Sequence, residues 1–512
     1  MNLIVMMLIL VGMIIPSLAD DVMDLSVKKH ALQLSYEPIA VTNQETMGMM
    51  GVHINLDIHK LSMVYLGVGG YGALTGDRGG FFTAGITPGL RIPFTRYLQA
   101  DIGLFLGGGG GASAFPGDGD MIRAHVYFGR SFPLFSTWLG VARQRISKKS
   151  IEDTWVITVT KPFYITKPVM SSFDRIGSSK KVAFQKRNLR IAPLLGAYFP
   201  AKSALGRNSL PLENKISLLG IDLETNRNGS ALTGLFSLYA ANGNKADGYG
   251  KIMTGLGYQY LITEKMMMMP YMQFGMSGGG NIDTGGGLIA QAGFKGRYAI
   301  TKMLDVHGLL AQIKSYNGNF ESTLLGGGVT VKLDHLDPVI DPSNEIKKTQ
   351  INQSETQLKS FQWFFGNKTI YPKKSLKDKN GEAYESQIDF VAFGVEVPVN
   401  SWFNVITTTY WAYSGDVGAY AEGCFGIVFK KNLFPRWTLY HQTEIGAAGG
   451  GGINVNQGTI YQSLLGIGFQ QTRSYQWKGY VGWQGSFDHA SFQGPIAMLS
   501  LDIRSAFLGS KN

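Results

Sequence analysis

The sequence predicts an all-β protein. Antiparallel, up-and-down strands in three tandem sequence repeats close as a transmembrane β-barrel, either one large barrel or three small ones. Three observations carry this expectation. Apolar residues alternate with polar or small ones through the chain, the alternating runs are long, and a set of ordered markers recurs at a fixed period.

The chain opens on an apolar run at residues 3–15, broken by Pro16 and followed by Ser17-Leu18-Ala19 and then Asp20 and Asp21. A short apolar core, small residues at the cleavage positions and polar residues directly after describe a secretory signal peptide rather than a membrane helix. Residues 1–19 are therefore expected to direct export, although no Lys or Arg precedes the apolar run. No other stretch reaches the ~18 apolar residues that a spanning helix needs.

Three markers recur in the same order. The first is a glycine followed by alternating residues, beginning at Gly51, Gly220 and Gly394. The second is Tyr-x-Ala leading into Gly-Asp or Gly-Asn, at Tyr71 and Ala73, Tyr239 and Ala241, and Tyr410 and Ala412. The third is a glycine block, at 107–111, 278–280 and 449–452. The tyrosines lie about 168 and then about 171 positions apart, the kind of fixed period that marks internal duplication. Residues 20–165 form repeat 1, 166–335 repeat 2 and 336–512 repeat 3, the latter two opening with polar joints at 166–186 and 336–357. The joints are rich in Lys, Ser, Asn and Pro, and the second has the composition of a turn and no apolar period.

Within each repeat the apolar period is two, as on a strand whose successive side chains point to opposite faces. Val52, Ile54, Leu56 and Ile58 alternate with His53, Asn55, Asp57 and His59. Leu98, Ala100, Ile102, Leu104 and Leu106 share one face, with Gln99 and Asp101 on the other. Val391, Phe393, Val395, Val397 and Val399 repeat the pattern in the third copy. Many runs reach roughly 9–12 residues, close to the ~9–11 of a tilted membrane strand and longer than the usual ~5–6. Runs at 50–59, 61–74, 80–93, 97–106, 121–132, 135–145 and 153–160 imply about seven or eight strands per repeat, on the order of 21–24 in all.

In the last strand Leu499, Leu501, Ile503 and Phe507 alternate with Ser500, Asp502, Arg504 and Ala506. This resembles the terminal strand of Gram-negative outer-membrane β-barrel proteins as a broad class, although Phe507 is followed by Leu-Gly-Ser-Lys-Asn. The resemblance implies an outer-membrane location, a lipid bilayer and lipopolysaccharide as surroundings, and barrel-assembly machinery as a partner. Girdles of aromatic residues should flank the apolar band. The candidates are Tyr127, Phe128, Trp138, Trp155, Tyr258, Tyr260, Trp402, Trp437, Tyr475, Trp477 and Trp483.

Composition agrees with this reading. Charged residues make up 16% of the chain, against about 25% in soluble domains. Aromatics make up 12%, too many for a disordered chain. The formal charge is +11, concentrated between repeats at Arg143, Arg145, Lys148 and Lys149, at Lys180, Lys181, Lys186, Arg187 and Arg190, and at Lys373, Lys374, Lys377 and Lys379. These positions read as solvated loops, and no nucleic-acid partner is expected. Small anionic solutes would be favoured only if such cations faced a lumen. Small and polar residues on the inward face lean toward one open barrel. The single cysteine, Cys424, excludes an intramolecular disulfide and a cysteine metal cluster.

No catalytic, cofactor or metal site emerges. The glycine blocks are not followed by Gly-Lys-Ser/Thr, so they bend or closely pack backbone rather than cradle phosphate. His53 and His59 would stand roughly 20 Å apart on a strand, too far for one metal ion. The methionines at 266–269 alternate faces and read as apolar filler. His489-x-Ser491 could pair imidazole and hydroxyl on one strand face. The segment is faintly similar to outer-membrane lipid A deacylases, but Phe492 stands where that family has Asn. The expected function is a non-enzymatic outer-membrane β-barrel, pore-forming or structural. The alternatives are an exported soluble β-repeat protein that binds a surface partner, and an outer-membrane lipid hydrolase using His489 and Ser491.

Overall fold

Alternation at period two becomes strand wherever the two faces meet different surroundings, and this chain alternates almost throughout. A computed structural model describes residues 24–169, 183–339 and 356–510, apart from short stretches within those ranges. Among the described residues the secondary structure is strand, and no helix is long and apolar enough to cross a membrane.

Barrel 1 comprises β1 (Asp24–Thr42), β2 (Glu45–Asp57), β3 (Val64–Thr75), β4 (Phe82–Pro93), β5 (Leu98–Gly110), β6 (Asp120–Ser131), β7 (Ser136–Ile146) and β8 (Lys149–Val169). Neighbours in sequence pair antiparallel, and β8 returns to β1 with Phe163 opposite His30. Barrel 2 comprises β9 (Ala183–Pro200), β10 (Ile216–Arg227), β11 (Leu232–Ala241), β12 (Gly250–Tyr258), β13 (Tyr260–Leu261), β14 (Met266–Gly278), β15 (Leu288–Ala299), β16 (Leu304–Ser315) and β17 (Glu321–Lys332). Both β12 and β13 pair with β14 and act as one interrupted strand, and β17 closes on β9. A short β18 (His335–Val339) pairs with β9 and with the end of the last strand, bridging barrels 2 and 3. Barrel 3 comprises β19 (Thr356–Ile370), β20 (Ile388–Pro398), β21 (Phe403–Ser414), β22 (Ala421–Phe434), β23 (Trp437–Gly449), β24 (Thr459–Gln470), β25 (Tyr475–Ser486) and β26 (Gln493–Ser510), with β26 closing on β19.

The architecture is thus three closed barrels of eight strands each. The lean toward one open barrel is corrected, because the eighth strand of each repeat finds its own first strand before the next repeat begins. The second joint also differs from its turn-like composition, since part of it forms β18.

The markers occupy the same places in every barrel: Gly51, Gly220 and Gly394 on the second strand, the tyrosines on the third, and the glycine blocks at the end of the fifth. The tyrosines and glycine blocks lie toward the mouth that carries the first-to-second, third-to-fourth, fifth-to-sixth and seventh-to-eighth turns, here called distal, while Gly51 and Gly394 sit mid-strand. Chain entry and exit lie at the opposite, proximal mouth.

At the distal mouth the third-strand turn of each barrel meets the fifth-strand glycine block of another. The Gly79 amide donates to the Gly285 carbonyl at 2.7 Å, tying barrel 1 to barrel 2. The Ala419 amide donates to the Gly109 carbonyl at 3.0 Å, tying barrel 3 to barrel 1. Gly248 of barrel 2 lies against Gly450 of barrel 3, closing the cycle. Two of these positions need glycine outright. Gly80 and Gly248 have φ of +96° and +85°, and a Cβ would lie 2.3 Å from the Gly279 nitrogen and 2.8 Å from the Gly450 nitrogen. The contact is heterologous and closes after three steps, as a cyclic trimer does. Barrels 1 and 3 also pack side by side, with Leu66, Ile86 and Leu106 against Phe365, Val391, Phe393 and Leu501.

Candidate functional site: barrel interiors and outer wall

An eight-stranded barrel leaves an interior just wide enough for its own side chains, so whatever points inward must pack and pair. Each interior is apolar at the distal mouth. In barrel 1 Met47, Met49, Phe81, Phe105 and Phe115 fill it. In barrel 2 Tyr249, Ile282 and Phe320 are joined by Leu212 from the 201–215 connection. In barrel 3 Leu376, from the 371–387 connection, packs with Val417, Tyr420, Ile453 and Phe492. Tyr384 of that connection donates to the Gly415 carbonyl, and burial holds its phenol above the ordinary tyrosine range.

Deeper inside, the inward positions are charged and paired. In barrel 1 Arg123 is fully buried and pairs with Glu37 at 2.8 Å. It also donates to the Tyr127 hydroxyl at 2.6 Å and lies 5.0 Å from the centre of the Tyr71 ring. Asp101 accepts from the Tyr65 hydroxyl at 2.7 Å, with His125 Nε2 at 3.0 Å and Arg91 Nε at 3.1 Å. In barrel 2 Lys295 sits between Asp222 and Glu224, and Arg297 pairs with Glu224. Lys251 donates to Gln291 at 2.5 Å and lies 4.4 Å from the Tyr239 ring centre. In barrel 3 Lys368 bridges Glu422 and Gln484, each at 2.5 Å, and lies 4.0 Å from the Tyr410 ring centre. Lys478 pairs with Glu396 and Asp502, each at 2.7 Å.

One arrangement recurs. The tyrosine of the Tyr-x-Ala marker points inward in all three barrels and carries a cation on its face. That cation comes from the sixth strand in barrel 1, the fourth in barrel 2 and the first in barrel 3. The tyrosine is fixed while the source of charge moves around the wall, so no alignment of the repeats by charge would have found it. As a group, Glu37, Arg123, Lys251, Lys295, Lys368 and Lys478 are not evident in the sequence. The available signal was a charged residue at an inward position of an otherwise apolar strand, as Arg123 is in Met-Ile-Arg-Ala-His-Val.

The outer wall is the reverse. In β16 the inward Asp305, His307, Ala311 and Ile313 are buried, while Leu304, Val306 and Leu310 are exposed, Leu310 by 52%. Of the girdle candidates, Phe128, Trp155, Tyr258, Tyr260, Trp402 and Trp437 are exposed on this wall. Tyr127 and Trp138 are not girdle residues, because their parity turns them into barrel 1. Tyr475 and Trp477 lie in the seam between barrels 1 and 3.

The remaining candidates separate cleanly. His53 is buried against Tyr71 and Phe105, with ring centres 4.9 Å and 5.7 Å away. His59, His489 and Ser491 lie outside the described residues. Arg143 and Arg145 are exposed and pair with Asp153 and Asp120, each at 2.7 Å, rather than facing the interior. Among the described residues no group of His, Cys, Asp or Glu is placed to hold a metal ion.

No protein-family model matches the chain, and no curated protein matches it by sequence. Among solved structures, it is similar to the siderophore receptor PirA from Pseudomonas aeruginosa at 8% identity, covering 94% of this chain and 80% of that one with a TM-score of 0.25. It is similar to Pseudomonas aeruginosa OpdQ at 9% identity, covering 95% and 98% with a TM-score of 0.18. It is similar to the copper transporter OprC at 8% identity, covering 96% and 81% with a TM-score of 0.25. At these scores the likeness carries no functional inference. What the chain has in common with outer-membrane β-barrels as a class is its wall, apolar outside and polar within.

Proposed function

We propose that the chain is a structural outer-membrane protein, exported by residues 1–19, that holds three filled β-barrels in the bilayer and conducts through none of them. The observation that carries this reading is the pairing of charges across each interior: Arg123 with Glu37, Lys295 with Asp222 and Glu224, and Lys478 with Glu396 and Asp502. A diffusion pore needs a continuous water-filled path, and eight strands enclose too little space for one beside these side chains. An exposed apolar wall around closed strands supports the membrane, since closure satisfies every backbone group that lipid cannot. The surroundings are then lipid and lipopolysaccharide, and β26 is the strand that barrel-assembly machinery would read. Non-enzymatic function fits interiors whose charged groups are engaged with one another.

The test is single-channel recording on the full chain in planar bilayers. The expected result is insertion without steady conductance steps. Reproducible steps of constant size would overturn the structural reading in favour of a pore. Recovery of the chain in solution without detergent would overturn the membrane reading itself and favour an exported soluble β-repeat protein.

A further inference from the structure

The outer wall of barrel 3 is hollowed along β24, β25 and β26. Strand register places Ile467, Gly479 and Leu499 in one cross-strand row, and Leu465, Val481 and Ala497 in the next row on the same face. That face points outward, with Leu465, Ile467 and Val481 exposed by 55%, 46% and 65%. Large residues therefore stand around two small ones, Gly479 and Ala497. A Cβ added at Gly479 would meet nothing within 4 Å. The hollow has a volume of about 570 Å³, with Asn367 and Thr369 at its β19 side, which falls in the ~300–1,000 Å³ range of small-molecule pockets.

We propose that this hollow holds one acyl chain of a membrane lipid, its ester end toward the side-chain amide of Asn367, whose Nδ2 is the donor on that side, since Asn367 Oδ1 accepts from the Tyr413 hydroxyl and the Thr369 hydroxyl donates to Asp389 at 2.7 Å. The proposal rests on the membrane reading above. The lining is continuous with the exposed apolar wall, so hydrocarbon is the medium that reaches it. Polar side chains occur at one side only, which suits an occupant with a single polar end and a long apolar body. A polar ligand would leave Leu465, Ile467, Val481 and Leu499 without apolar contact.

Native mass spectrometry of the full chain tests this, using detergent micelles doped with dipalmitoyl phosphatidylethanolamine. The wild type is expected to keep one lipid under activation that strips the rest. Gly479→Leu fills the hollow from an open position and is expected to lose that lipid. Gly423→Leu is the control, since Gly423 is exposed on β22, outside the hollow, and its Cβ would also meet nothing within 4 Å. It should keep the lipid. Equal retention by wild type and Gly479→Leu, a wild type that keeps none, or a lipid-free dimer mass would each overturn the proposal. A failed site leaves wild type and variants dependent on detergent. A failed membrane reading shows instead as all three soluble without it.

Discussion

At the scale of single residues, the interior charges decide what the barrels are. Removing two charges from water costs several kcal/mol per ion, and pairing restores it only while both partners remain. Lys478 is fully buried between Glu396 and Asp502. Lys478→Met leaves two carboxylates facing each other inside barrel 3 and should cost about 3–5 kcal/mol, the usual loss on breaking a buried pair. Urea unfolding in detergent micelles measures it, and an unchanged midpoint would contradict the assignment. Arg143, exposed on β7 and paired with Asp153, provides the contrast, since Arg143→Ala should leave the midpoint where it is. These interior partners were not legible in the sequence. Glu37 and Arg123 lie 86 residues apart, and nothing local to either names the other. What was legible was that the odd face of β2 is polar at His53 and Asn55, and that of β5 at Asp101, beside the apolar Met47, Met49 and Phe105 nearer the distal mouth.

At the scale of strands, alternation gave the elements but not all of them. Seven runs were evident in the first repeat, matching β2 to β8, and the strand they miss is β1. Its inward face mixes Gln33, Ser35 and Glu37 with Ala31 and Ile39, so its alternation is blurred. Its place is fixed by long-range pairing with β8 instead. Which face meets lipid is a property of the element, and substitution distinguishes lipid from water there. Leu310 is exposed near the middle of β16. In a bilayer, Leu310→Arg should destabilise by about 2–4 kcal/mol, the cost of an arginine on the lipid face near the midplane. In water the same change at an exposed site would be close to neutral. Folding into vesicles followed by denaturant titration reads the difference.

At the scale of the whole molecule, three repeats make a closed ring within one chain. The repeat period implied three equivalent units, yet it did not say whether they share a wall, because closure depends on which first strand each eighth strand meets. The glycine blocks are explained at this scale only. Each lets the backbone of one barrel approach the third-strand turn of another, through contacts such as Gly79 to Gly285 and Gly109 to Ala419. Gly80→Leu puts a side chain where a Cβ would already lie 2.3 Å from the Gly279 nitrogen. It should loosen barrel 1 from barrel 2 while both barrels stay closed. Limited proteolysis is expected to show faster cleavage between the two barrels with the gel mobility of the folded form retained. Unchanged cleavage would mean that the ring contact contributes little.

The central claim is that three closed barrels sit in the outer membrane. Fractionation of expressing cells, with gel mobility compared before and after boiling, tests it most directly. The chain is expected to sediment with the outer membrane, dissolve only in detergent and migrate differently once boiled, because closed barrels resist unfolding by detergent alone. A chain recovered in the soluble fraction, with one mobility before and after heating, would contradict it.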